Sequence, residues 1–298
     1  MNKLILLLAV FLVSTAGLFA HQALVQATPL AIAAWRLGLA SLFFTGLSLL
    51  LRGESIPSPI PKDVRWRLVL AGLCLAAHFV TWFAALDRTS VARATLLACT
   101  TPLWTTIGGF LLGRRRPTLR DIGALAVAGI GLWLVTQSSR QIASHTTVLG
   151  DVFGLSAGLL FGSYLLCVEG LHKTISSQRQ VTVVYSVAAG LLWAVLLMRG
   201  GATLAYSSSV WRALLGMTLG PQIFGHTLLN WSLRHFTSSL VAFSILLEPI
   251  IAALLAWYLL HQTLTAAQLF GGLLVLGALA LVISQKTTAE QAEAEPVG

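Results

Sequence analysis

Residues 101–135 read TPLWTTIGGFLLGRRRPTLRDIGALAVAGIGLWLV, and residues 248–283 read EPIIAALLAWYLLHQTLTAAQLFGGLLVLGALALVI. Pro102 matches Pro249, the polar turn GRRRPT matches HQTLT, and a Gly-rich apolar run follows each turn. Upstream, Trp82 and the pair Thr89-Ser90 resemble Trp231 and the pair Thr237-Ser238. A repeat of this spacing divides the chain into halves of about 1–140 and 148–285. Each quoted stretch holds two long apolar runs around one short turn, so the fold follows from what such runs must do.

Further runs of the same kind fill the rest of the chain. They fall at 3–22, 30–51, 66–87, 90–113, 119–138, 148–171, 180–199, 210–233, 237–260 and 264–285. Each is long enough to cross a hydrocarbon core of about 30 Å as a helix. In lipid every backbone N–H and C=O must find an internal partner, which leaves helices or a closed barrel. The runs are continuous rather than alternating, which argues against a barrel. Composition agrees: 56% of the residues are hydrophobic, 10% are charged and the mean hydropathy is +0.83. A soluble domain covers its surface with roughly 25% charged residues. The expected fold class is all-α, a polytopic membrane protein of ten transmembrane helices.

Loop charges set the orientation. With the N-terminus inside, the cytoplasmic side carries Lys3, Arg52, Lys62, Arg65, Arg67, Arg114, Arg115, Arg116, Arg120, Lys173, Arg179, Arg234 and Lys286. The outer side carries Arg88, Arg140, Arg199 and Arg212. This bias predicts both termini in the cytoplasm of a bacterial-type inner membrane. Two similar halves with an odd number of spans must lie upside down relative to each other, an arrangement that places a solute site near the midplane. The N-terminal run could also be a cleaved secretory signal. The repeat favours a retained first helix, because the sixth run needs a counterpart. Residues 286–298 are polar and end in Pro-Val-Gly, which predicts a disordered cytoplasmic tail.

The net charge of +9 sits in short loops, with no basic helix or aromatic-basic stripe, so nucleic acid is not an expected partner. Cys74, Cys99 and Cys167 all lie inside apolar runs without metal-ligand spacing. They read as packing residues, and no metal or cofactor is expected.

The stretches PLAIAAWRLGLASL in the second span, TTPLWTTIGGFLLG in the fourth, GDVFGLSAGLLFGSYLL in the sixth and LLEPIIAALLAWYLL in the ninth resemble the drug/metabolite transporter superfamily, in its EamA-type branch of ten helices. The resemblance covers nearly the whole chain through diffuse motifs. It implies movement of amino acids, metabolites or drugs and does not choose among them. One departure is visible. Members often carry an acid in the turn after the fourth and ninth spans, where this chain has Arg114 to Arg116 and His261-Gln262. A role for that acid is therefore not carried over.

Polar groups inside lipid are costly and mark candidate function. Glu248, near the centre of the ninth span, is the only acid at that depth. It is a candidate proton site or contact for a solute amine, against a structural acid beside the Pro249 kink. Gln222, His226 and Asn230 recur at i, i+4 and i+8 of the eighth span, on one face of an α-helix, so they should face a cavity or another helix. His78 and Trp82 stand at i, i+4 of the third span. Tyr164 in the sixth span and Thr101 in the fourth are weaker candidates, since hydroxyls often serve as backbone partners in membrane helices. Arg36 in the second span could bind an anionic group, pair with Glu248, or snorkel outward. Glu169 is expected to face the cytoplasm beside His172 and Lys173. Gly154, Gly158 and Gly162 form overlapping GxxxG steps that suit internal helix packing better than dimerisation.

These features predict a secondary-active or facilitative carrier of small polar or amphipathic solutes, an exporter working by alternating access. Protons are a candidate coupling ion. The partners are thus a small-molecule solute and the lipid bilayer. A channel would need charge rings or a carbonyl filter. A membrane-embedded enzyme would need a nucleophile-base pair or metal cluster. The sequence shows no motif for either alternative.

Overall fold

The computed structural model describes residues 2–50, 59–89, 91–137, 147–201, 204–260 and 266–294. Among these residues all regular structure is helical and no strand occurs. The side chain of Arg93, the residues Ser90, Arg52 and Arg140, and the turn holding His261 and Gln262 lie outside the described residues.

Each apolar run falls on a helix or a pair of helices. The first forms α1 (Asn2–Ser14) and α2 (Ala16–Ala23); the second forms α3 (Pro29–Leu50) and the third α4 (Lys62–Arg88). The fourth is split into α5 (Val91–Ala98) and α6 (Thr101–Leu111), and α7 (Leu119–Gln137) follows. In the second half, α8 (Val148–Val168) and α9 (Ser177–Met198) are continuous. Then α10 (Ser208–Met217) runs through a π-helical segment, Thr218–His226, into α11 (Thr227–Ser232). A second split run gives α12 (Ser238–Ile245) and α13 (Glu248–Leu260), and α14 (Ala266–Ala294) ends the chain's helices. Six described helical segments are long and apolar enough to cross a bilayer, and two shorter apolar ones accompany them. With Leu42, Leu50, Leu111 and Leu119 among many exposed large hydrophobics, the outer surface suits lipid rather than water.

The polar segment from Lys286 begins as helix, since α14 continues through Ala294. Its residues KTTAEQAEA are rich in good helix formers. Extending an existing helix also avoids the cost of nucleation.

The helix interruptions have local causes. Proline has no N–H, so it frees the carbonyl one turn back. Pro102 frees Ala98, whose carbonyl instead accepts from the Thr101 hydroxyl at 2.9 Å. Thr100 makes the neighbouring bond to Leu97 O at 2.7 Å. Pro249 frees Ile245, whose carbonyl receives the Cys99 thiol at 3.9 Å, a weak bond from the other interrupted helix. At the α1–α2 junction, Ser14 and Thr15 bond back to Val10 O and Leu12 O, both at 2.7 Å, a pattern that bends helices. Pro221 lies inside the π-helical segment, where it cannot donate to the ladder.

Most of the extensive helix pairings join one half of the chain to the other. α4 lies along α8, α3 along α9, α7 along α14, and α1–α2 along the α10–α11 segment. Small residues allow the close approaches. A Cβ on Gly158 would stand 2.9 Å from Ala98 O and 2.5 Å from Thr100 Oγ1, and one on Gly154 would stand 2.7 Å from Leu97 Cβ. Gly131 of α7 meets Gly271 O of α14 in the same way, at 2.6 Å. The GxxxG steps of α8 thus serve packing within the chain.

Candidate functional site

Where the interrupted helices meet there is a cavity of about 40 Å³, room for roughly three water molecules. It is lined at the α1–α2 junction by Val13 and Ala16, at the α5–α6 junction by Ala98, Cys99 and Thr101, and at the α12–α13 junction by Ile245 and Glu248. The π-helical segment and α11 contribute His226 and Leu229; the unbroken helices contribute Arg36, His78, Phe79, Trp82 and Phe161. Discontinuous helices meeting around one cavity that holds a few ionisable groups are a recurrent way to build a midplane solute site.

Arg36 is fully buried. Its Nε donates to Gln222 Oε1 at 2.7 Å, and its guanidinium lies 4.2 Å from the centre of the Phe79 ring. The snorkelling alternative is thereby ruled out. Both terminal nitrogens of Arg36 lack a protein partner, as does His226 Nδ1. Buried donors without acceptors cost several kcal/mol, more when charged. Such groups are retained where a ligand or water completes them. Glu248 lines the same cavity and makes no ion pair among the described residues, whose pairs are held by Asp87 and Glu169. The cavity therefore carries a cation and an acid that are not consumed by each other. His78 is anchored, its Nδ1 2.9 Å from Ala157 O, and its ring packs on Phe161.

Six of the nine candidate residues line the cavity: Glu248, His226, His78, Trp82, Thr101 and Arg36. Three do not. Gln222 is fully buried behind Arg36 and orients it. Tyr164 donates its hydroxyl to Asn230 Oδ1 at 2.6 Å, and Asn230 Nδ2 donates to His226 O at 3.0 Å. Gln180 of α9, not anticipated from the sequence, adds its Nε2 to Asn230 Oδ1 at 3.1 Å. Tyr164 and Asn230 form a hydrogen-bonded floor toward the C-terminal end of α8.

A second polar centre lies at the helix ends around Glu169. Glu169 does not turn outward beside His172 and Lys173. Its carboxylate accepts from Arg114 Nη1 at 3.3 Å, from Arg115 Nη2 at 3.2 Å and from Ser238 N at 2.7 Å. Arg67 donates to Cys167 O at 3.0 Å and Glu169 O at 2.7 Å, and Arg114 also donates to Leu166 O at 2.7 Å. These carbonyls are the orphan acceptors at the end of α8.

A multi-pass helical chain with a small, charged, shared cavity at its centre defines a membrane transporter. The EamA-like transporter family model matches twice, over residues 3–137 and 148–284, and the chain belongs to that family. A relative from Archaeoglobus fulgidus, described as an uncharacterized transporter, is 26% identical over 97% of this chain and 99% of its own length. The uncharacterized transporter YwfM of Bacillus subtilis is 29% identical over 65% of this chain and 64% of its own. A solved crystal structure shares the fold at a TM-score of 0.75, with 18% identity, covering 97% of this chain and 98% of that one.

Proposed function

We propose that the chain is a secondary-active or facilitative carrier that moves small polar or amphipathic solutes by alternating access, in the direction of export. The carrying observation is the cavity in which Arg36 and Glu248, one from each half, face a common space, with both terminal nitrogens of Arg36 left without a protein partner. That pair suits a solute bearing both an anionic and a cationic group, as amino acids and many metabolites do. At about 40 Å³ the cavity is contracted, so binding requires the halves to separate. The two inverted five-helix units, 1–140 and 148–285, are supported by the double family match. The pairing pattern also supports them: exchanging the halves exchanges α4 on α8 with the α10–α11 segment on α1–α2, and returns α3–α9 and α7–α14 to themselves. The loop-charge bias supports an orientation with both termini in the cytoplasm of a bacterial-type inner membrane.

Glu248 is the proposed site of proton coupling, because a carboxyl group in a confined cavity gains or loses its charge according to what faces it. Glu248→Gln removes the titration and keeps the shape. In proteoliposomes loaded with candidate amino acids and metabolites, the wild-type protein releases its solute at a rate that changes with pH. The Glu248→Gln protein loses that dependence while remaining folded. An unaltered pH profile in the variant removes Glu248 from coupling.

A further inference from the structure

We infer that the cytoplasmic chamber walled by Arg67, Arg114, Arg115, Glu169 and Thr237 is a carboxylate-binding site, and that a solute carboxylate entering it displaces Glu169 and unfastens the inner gate. This rests on the carrier reading and adds to it an anionic group as the feature first recognised on the cytoplasmic side. The chamber is an open pocket of about 370 Å³, ample for an organic acid, where the central cavity is not. Three guanidinium groups and one carboxylate line it, so its lining carries net positive charge.

The site is already built for a carboxylate, because it holds one. Glu169 sits between two arginines and the first backbone N–H of α12. That helix end favours negative charge. The three arginines differ in what else they do. Arg67 and Arg114 also stitch the last carbonyls of α8. Arg115 donates only to the Glu169 carboxylate and, at 2.7 Å, to the Ser238 hydroxyl, and its buried Nε has no partner. Arg115 is therefore the arginine whose work is to hold an anion against α12.

The chamber also lies on the route to the central cavity. Its walls are the cytoplasmic ends of α4, α6, α8 and α12, and residues of the same helices or of their junctions line the cavity. From Arg67 to His78 along α4 is about 16 Å, and from Glu169 to Phe161 along α8 about 12 Å, at about 1.5 Å per residue. Glu169 ties the end of α8 both to Arg114 and Arg115 of the first half and to α12 of the second. A solute carboxylate that takes over these donors frees α12 to move. Side chains here are 17% to 34% exposed, enough for an entering anion to reach them.

The test uses full-length protein in phosphatidylcholine nanodiscs, with Cys74, Cys99 and Cys167 replaced by alanine. Spin labels are placed at Arg116→Cys and His235→Cys, beside the chamber on its two sides. Acetate is expected to replace the short distance population with a longer one, where chloride at equal ionic strength does not. Glu169→Gln should show the long population without acetate. Arg115→Gln should need at least roughly ten-fold more acetate for the same response, the loss of one charge-assisted bond. Equal responses to acetate and chloride overturn the proposal, as does a Glu169→Gln protein that stays closed. A response only when phosphatidylglycerol replaces phosphatidylcholine also overturns it and assigns the chamber to a lipid headgroup. The distances are read without transport, so a chamber that responds in a protein that carries nothing refutes the carrier reading alone.

Discussion

Replacing Arg36 by alanine is expected to reduce transport on the order of a hundred-fold or more, without unfolding the protein. The guanidinium is fully buried, holds Gln222 at 2.7 Å and lies over Phe79. Its terminal nitrogens have no protein partner, so they are the donors left for a solute anion. Truncating one member of a buried, hydrogen-bonded charge pair costs about 2–5 kcal/mol, and a hundred-fold lies within that range. Arg36→Lys should recover only part of the activity. A point charge can meet a carboxylate, but it cannot offer the planar fork that engages Gln222 and a ligand together. Initial rates in proteoliposomes, normalised to folded protein, measure the effect. Rates within two-fold of wild type for Arg36→Ala would place the solute elsewhere.

The second large effect is on folding. Gly158→Val drives a branched side chain into backbone: even a Cβ would lie 2.9 Å from Ala98 O and 3.0 Å from Leu97 O. These atoms cannot rotate away, so α8 must separate from the α5–α6 junction. The cost is on the order of 3 kcal/mol or more, at the upper end of overpacking. The same junction lines the cavity, so transport falls with stability. Gly129→Val is the control, since nothing lies within 4 Å of an added Cβ there; it should change stability by no more than about 0.5 kcal/mol. Thermal unfolding in detergent compares the two. Equal Tm values for the Gly158→Val and Gly129→Val proteins contradict the packing described.

The positions of helices were readable because hydrophobic length is a local property. Every apolar run became helix among the described residues, and Pro102 and Pro249 marked two of the breaks that meet at the cavity. Gln222, His226 and Asn230 of the eighth run, spaced to face a cavity or another helix, are all buried: His226 lines the cavity, Gln222 bonds Arg36 of α3, and Asn230 bonds Tyr164 of α8 and Gln180 of α9. Gln180 escaped notice because it follows Arg179 at the start of its span, where a loop residue is expected. Glu169 was assigned to nearby His172 and Lys173, while its partners lie far along the chain at Arg114 and Arg115. A pairing over that separation follows from the fold, which one sequence does not display. The tail illustrates the reverse, a polar composition that continues a helix because the preceding turns had nucleated it.

Cys99 offers the most direct measurement of whether the central cavity serves transport. It lines that cavity beside Thr101 and Glu248 and is 3% exposed. In proteoliposomes carrying Cys74→Ala and Cys167→Ala, a small charged thiol reagent that cannot cross lipid is added on one side and then, separately, on the other. The account predicts slow labelling of Cys99 from each side, protection by transported solute, and loss of transport in proportion to labelling. Labelling from neither side while transport continues would show that solute travels by another route.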